Sequence, residues 1–210
     1  MYLSRIELNH NKRETQIALH SLSRFHGAIE SAFKESTKTR KLWRIDTLRG
    51  NQYLLIVSES KPNFMHLIKQ FGFDNQTGES LSYDTFIDHI KNGQKWQFRL
   101  VANPTQSVSD KAHPERRGKI KAEVSDKYLQ EWILRKAEQN GFYIVDEVFI
   151  RNKRWYSFKK GKNAYHVRFK AVTFEGVLEV TDETLLRQAL IAGIGREKAY
   201  GMGMLTLMRI

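Results

Sequence analysis

Asp126-Lys-Tyr-Leu-Gln-Glu-Trp-Ile-Leu-Arg-Lys-Ala-Glu-Gln-Asn-Gly-Phe-Tyr-Ile-Val-Asp-Glu-Val-Phe-Ile-Arg151 reads as a helix, Asp126 to Asn140, closed by Gly141 and followed at once by a strand, Phe142 to Arg151. Upstream lie a strand, Trp96 to Ala102, and a basic loop ending near Val124. Downstream, a strand from Tyr165 to Val180 leads to a helix from Asp182 to Ala192, with Thr181 or Asp182 as N-cap, and a last strand from Met202 to Met208. The order of elements is strand-helix-strand-strand-helix-strand.

The front half repeats that order. Tyr2 to Asn9 alternates apolar and polar residues as a half-buried strand does, and Thr15 to Lys34 then takes helical spacing, with Leu22, Phe25, Ile29 and Phe33 on one face. Lys41 to Asp46 and Tyr53 to Ser58 form a hairpin about Gly50-Asn51, Pro62 to Phe73 a second helix, and Leu81 to Ile87 a weaker strand. Two successive βαββαβ units imply an α+β chain of two tandem ferredoxin-like, RRM-like domains with antiparallel sheets. The expected division is residues 1–92 and residues 93–210. The repeat is one of topology, because the halves share no obvious residue identity.

A chain of 210 residues, 40% hydrophobic and 11% aromatic, can fill two cores. Its 35 Lys and Arg against 23 Asp and Glu leave a formal charge of +12, which favours a polyanionic partner, nucleic acid or an anionic membrane. No apolar run approaches the roughly 18 residues of a spanning helix, and no strongly amphipathic basic helix suits a membrane surface. The opening Met1-Tyr-Leu-Ser-Arg-Ile-Glu reads as a strand and not as a signal peptide, so a cytoplasmic protein is expected. Without cysteine there is no disulfide, no thiol nucleophile and no thiolate zinc site.

Between Arg151 and Lys162 stand Arg151, Lys153, Arg154, Lys159, Lys160 and Lys162, with no acidic residue, interleaved with Trp155, Tyr156 and Phe158. A hairpin arm of this composition contacts phosphates through its charges while a guanidinium pairs with guanine or an aromatic stacks on a base. The plainer reading is a solvated loop with its aromatics tucked into the core. A second basic run, Lys111 to Lys121, holds Arg116, Arg117 and Lys119 beside His113, Pro114 and Gly118. It lacks periodicity, and reads equally as a loop that orders on a phosphate backbone or as decoration.

Gly193-Ile-Gly-Arg-Glu-Lys-Ala-Tyr-Gly-Met-Gly203 joins the last helix to the last strand. Amides in such a turn can form an anion-binding nest at Gly195, with Lys198 and Arg196 as point charges for phosphate, or the glycines can simply cap the helix and open the strand. The spacing is neither a Walker loop nor a Rossmann fingerprint, which argues against a nucleotide cofactor. The whole pattern, Gly-Ile-Gly-x-x-Lys-Ala-x-Gly-x-Gly-Met-Leu, resembles the C-terminal signature of the CasE family of CRISPR-associated endoribonucleases. Met1-Tyr-Leu-Ser, Leu42-Trp-Arg-Ile, Phe98-Arg-Leu-Val-Ala-Asn-Pro104 and Val172-Thr-Phe-Glu-Gly-Val-Leu178 match in order, so the resemblance spans nearly the whole chain.

That resemblance implies a RAMP-superfamily subunit that matures guide RNA. It would bind the hairpin of CRISPR repeat RNA, cut at its base without a metal or other cofactor, leave a 5′-hydroxyl and a cyclic or 3′ phosphate, and stay on its crRNA product beside other Cascade subunits. It also implies a catalytic histidine on the first helix. His20 and His26 compete for that place. Counting about 100° per residue sets His26 on the edge of the apolar arc and His20 roughly opposite, and the family's large apolar residue seven positions after the histidine is matched by Phe33. Both select His26. Three residues before it the family has a tyrosine that assists proton transfer, and this chain departs with Ser23. The remaining histidines, His10, His66, His89, His113 and His166, show no metal-ligand spacing. A noncatalytic RNA-binding scaffold of the same fold is the alternative that Ser23 motivates.

Overall fold

The computed structural model describes residues 1–33, 39–108, 119–122, 125–160 and 165–210. The front half begins with β1 (Tyr2–Glu7), α1 (Arg13–His20) and α2 (Ser23–Ser31), continues with β2 (Leu42–Leu48), β3 (Asn51–Ser58) and α3 (Phe64–Phe71), and ends with β4 (Glu79–Ser82) and α4 (Asp84–Asp88). Its strands form an antiparallel sheet in the order β2-β3-β1-β4. The rear half holds β5 (Lys95–Ala102), β6 (Thr105–Val108), β7 (Lys119–Ala122), α5 (Asp126–Gln139), β8 (Phe142–Ile144), β9 (Phe149–Lys160), β10 (Tyr165–Val180), α6 (Glu183–Ala192) and β11 (Leu205–Arg209). Its main sheet runs β11-β5-β10-β8, with β9 also on β10, while β6 and β7 pair separately. Fourth, first, third, second is the strand order of both βαββαβ units, so the tandem ferredoxin-like, α+β expectation holds.

Several boundaries differ from the sequence reading, each for a local reason. The first helix is two. At Ser21 the backbone leaves the helical region (φ −133°, ψ 84°), and the Ser21 and Ser23 hydroxyls pair at 3.1 Å, the kind of local bond by which serine competes with helix. The β2–β3 loop is Arg49-Gly50 and not Gly50-Asn51, because Leu48 pairs with Asn51 and both loop residues have positive φ, as a type I′ turn requires. The expected strand Leu81 to Ile87 shortens to β4 and passes into the single turn α4. The strand after α5 divides into β8 and β9, both laid along β10. Asp182 is the N-cap of α6, its carboxylate accepting from the amides of Thr184 and Leu185 at 2.9 and 3.0 Å.

The halves are joined through β2, because alternation sends its neighbouring side chains to opposite faces. Trp43 faces the helices, with its ring 5.7 Å from that of Phe25 in a core that also holds Ile29, Phe71, Phe169 and Tyr200. Leu42 faces the other way, into a core shared with Leu100, Trp132, Phe174 and Met204. Arg44, on the Leu42 face and only 2% exposed, donates to the carbonyls of Arg99 (3.2 Å) and Met204 (2.9 Å), to Thr206 Oγ1 (2.8 Å) and to the Asp46 carboxylate. Asp46 accepts from Arg99 as well, and Arg99 also reaches Glu175 at 2.6 Å. Burial pulls the Arg44 guanidinium below its ordinary value, and Asp46 works against that pull.

Removing one partner of such a buried network strands the others. Arg44→Ala is expected to lower the free energy of unfolding by about 3–5 kcal/mol. Denaturant titration reads this, and a loss in the range of an exposed pair, about 0–1 kcal/mol, would mean that the clasp contributes little.

Candidate functional site

Helix α2 exists because Phe25, Ala28 and Ile29 recur at helical spacing and are buried against the first sheet. His26 sits beside that buried face with its side chain 30% exposed, so it is anchored yet reachable. Its Nδ1 lies 4.0 Å from Glu30 Oε1, one turn on, and the other Glu30 oxygen accepts from Lys41 Nζ at 2.9 Å. Lys41 is almost wholly buried and packs over Phe33 at 5.2 Å. His20 ends α1 in solvent, its Nδ1 2.9 Å from the Gln16 carbonyl oxygen. The count of angles from His20 to His26 does not carry across the break at Ser21, but within α2 the edge position of His26 stands.

The glycine-rich segment meets this helix. Between α6 and β11 the chain makes a 3-10 turn, Lys198–Tyr200, and the Tyr200 ring contacts His26 edge-on with centroids 6.3 Å apart. Trp43 Nε1 donates to the Ala199 carbonyl at 3.3 Å. Gly201 must be glycine, since its φ is +78° and a Cβ would stand 2.9 Å from the Trp43 ring. At Gly203, φ +86°, a Cβ would stand 2.6 Å from the Ile194 carbonyl oxygen. Much of the hydrogen bonding here points inward. The amide of Ile194 donates to Gly203 O, that of Gly203 to Val101 O, and that of Tyr200 to Glu197 O. Gly201 and Gly203 therefore permit close packing. Arg196 is exposed and bridges to Asn103, and Gly195 is half-buried over Trp132.

The arm β9–β10 presents two faces. Tyr156 stacks on Phe169 at 5.4 Å, and Phe158 meets Tyr200 edge-on at 5.2 Å, while Phe169 stacks on Tyr200 at 5.8 Å. These aromatics tie the arm to the turn beside His26. Trp155 points the other way, 45% exposed, with the Arg168 guanidinium 4.8 Å over its ring. Arg151, Lys153, Arg154 and Lys159 are exposed, and Lys153 pairs with Asp126. The extra residue of a β-bulge, Asn152 (φ +37°), re-aims the strand between Arg151 and Lys153. Lys153 and Arg154 also line a cleft of about 520 Å³ between the sheets, together with Tyr156, Thr47 and Gln52, which His26 does not line. Of the other expected contacts, Arg117 and Lys162 lie outside the described residues. Lys119 and Lys160 fall on β7 and β9 with their side chains outside them.

Tyr200, Lys41, Arg40 and Lys136 did not stand out in the sequence. Tyr200 carried a usable signal, an aromatic set inside a run of glycines. Lys198 is half-buried; burial first, then the charges of Arg40 and Lys136, hold its ammonium below the ordinary value of 10.5. Among the described residues no three His, Asp or Glu converge as a metal would need, and no helix is long and apolar enough to cross a membrane.

Between the lowered pKa of Lys198 and 10.5 the unfolded chain binds the extra proton, so stability rises with pH across that window and the full penalty of the buried charge stands below it. Lys198→Met keeps the aliphatic stem and deletes the charge. It is expected to melt above wild type at neutral pH, with the gain shrinking as pH rises through the folded pKa. An equal or lower Tm at neutral pH would refute this.

A family model described as CRISPR associated protein matches residues 1–209. The CRISPR-associated endoribonuclease Cse3 of Thermus thermophilus is similar over its whole length, 27% identical across 224 aligned residues that cover 99% of each chain. A solved structure of CRISPR endoribonuclease Cse3 bound to 19 nt RNA superposes with a TM-score of 0.82 at 25% identity, covering 99% of this chain and 100% of the other. The CRISPR-associated protein Cas6e from Escherichia coli str. K-12 shares the fold, with a TM-score of 0.69 at 20% identity and full coverage of both chains.

Proposed function

The chain belongs to the family of CRISPR-associated proteins, and from that premise we propose that it is a metal-independent endoribonuclease of the CasE type. It binds the hairpin of CRISPR repeat RNA, cuts at the hairpin base and stays on the crRNA product as a subunit of a Cascade complex. The T. thermophilus relative is named an endoribonuclease, and a Cse3 structure of similar fold holds RNA. A structure sharing the fold at 21% identity is called a CRISPR RNA-guided surveillance complex. A transcript as substrate puts the work in the cytoplasm.

The observation that carries this reading is the meeting of His26 with Tyr200, because it brings a proton-transfer group, the glycine-rich turn and the inner aromatics of the basic arm to one place. RNA supplies its own nucleophile. In the proposed step the 2′-oxygen bonds to phosphorus as its proton leaves, the bond from phosphorus to the 5′-oxygen breaks, and that oxygen takes up a proton, leaving a cyclic phosphate and a 5′-hydroxyl. His26 carries one of these proton transfers, and Glu30, held by Lys41, orients its ring. Tyr200 positions the imidazole by contact. Residues 1–92 form the domain that brings His26, and residues 93–210 the domain that holds RNA through Lys198, Arg196 and Gly195 and through Arg151, Lys153, Arg154 and Lys159 on the arm.

Single-turnover cleavage of a repeat hairpin in EDTA tests the assignment. His26→Ala is expected to lose about 10²–10⁴-fold in rate with hairpin affinity little changed, while His20→Ala cleaves as wild type does. Cleavage that survives His26→Ala would falsify the assignment. A second reading, a noncatalytic RNA-binding scaffold, is favoured by Ser23, whose hydroxyl is engaged with Ser21 where the family carries tyrosine. Tight hairpin binding by wild type with no cut at excess protein selects it.

A further inference from the structure

We propose that Arg40, Lys136 and Lys198 together form a phosphate subsite that takes a backbone phosphodiester of the bound RNA beside the cut, an inference that rests on the RNA-processing reading above. The three come from distant parts of the chain, and each is brought near the glycine-rich segment, Arg40 and Lys136 by the packing of a neighbouring residue and Lys198 by its place in the turn. Arg40 stands two residues before Leu42, whose Cδ2 lies 2.7 Å from where a Cβ on Gly193 would be. Lys136 follows Trp132 by one helical turn on α5, and the Trp132 ring lies 3.4 Å from the same point on Gly195. Lys198 belongs to the 3-10 turn itself, with its Cγ 3.3 Å from that point on Gly203. Tyr200, which meets His26, is in the same turn.

Among the described residues none of the three forms an ion pair, and Lys136 has only the neutral Gln139 Oε1, at 2.8 Å. They act on one another instead. Arg40 and Lys136 both disfavour the charge on Lys198, and Arg135 disfavours that on Lys136. Lys41, by contrast, is answered by Glu30, and Arg99 by Asp46 and Glu175. Lys136 and Lys198 are half-buried and Arg40 is exposed at their edge, and a group of like charges with no carboxylate partner among the described residues is stabilised when an anion enters it. Lysine and arginine offer a phosphate point charge and a planar fork respectively.

The test is the salt dependence of hairpin binding, followed by fluorescence anisotropy over a range of KCl. The hairpin carries 2′-deoxy nucleotides through the base of its stem, so that binding is read without cutting. Each of Arg40→Ala, Lys136→Ala and Lys198→Ala is expected to reduce the slope of log K against log salt by about 0.7–0.9, the release of one phosphate contact, and Lys136→Arg to restore it. Unchanged slopes in all three variants overturn the subsite. A reduced slope on a product strand ending in phosphate but not on the uncut hairpin assigns the site to a terminal phosphate and overturns the backbone proposal. Wild type that binds but never cuts an all-ribose hairpin counts against the nuclease reading while the slopes still decide the subsite.

Discussion

Arg44 is the residue on which the two halves depend. A guanidinium buried to 2% exposure is unfavourable unless its donors are met. Here both terminal nitrogens are met, by the carbonyls of Arg99 and Met204, the Thr206 hydroxyl and the opposite charge of Asp46, while Nε has no hydrogen-bond partner among the described residues. Hydrophobic contact between the sheets would tolerate sliding. Directed bonds to particular carbonyls do not, so the clasp sets the register of one sheet on the other, and with it the place where His26 meets the turn at Tyr200.

Directly beside Arg44 in sequence, Trp43 extends that constraint into the candidate site. Its indole N–H binds the Ala199 carbonyl and its ring fills the space a side chain at Gly201 would need. Arg44 thus fixes sheet on sheet while Trp43 fixes the glycine-rich turn on the first sheet, two neighbouring residues of one strand acting on its two faces. The glycines serve this closeness. They allow the turn to lie against Trp43 and to fold on its own backbone.

The arm shows the same division of labour between faces. Tyr156 and Phe158 join Phe169 and Tyr200 in a stack that reaches to His26, so the arm is anchored at the site it is proposed to serve. Trp155, Arg168 and Lys159 are left to solvent on the opposite face, where a polyanion can approach. In the proposed reaction holding and cutting are linked mechanically, because displacing the inner stack would disturb Tyr200 and the imidazole beside it.

Much of this was legible along the chain. The periods of 2 and 3.6 marked most of the strands and helices, but β9 runs on to Lys160 through a basic segment that reads along the chain as an arm or a loop. The order of the elements gave the tandem topology, because those periods report burial on one face and burial is local to each element. The edge position of His26 followed from Phe25 and Ile29 for the same reason. The break at Ser21 escaped because helical spacing continues on both sides of it, and the two serine hydroxyls that favour it leave no mark on apolar periodicity. What only the tertiary structure decided concerns pairs far apart in sequence: Arg44 with Met204, Trp43 with Ala199, His26 with Tyr200, and Arg40 with Lys136 and Lys198. Each residue alone has an ordinary surface or core reading. Their partnership is created by the packing of one sheet on the other, and periodicity along a strand or helix carries no information about which distant residue will face it.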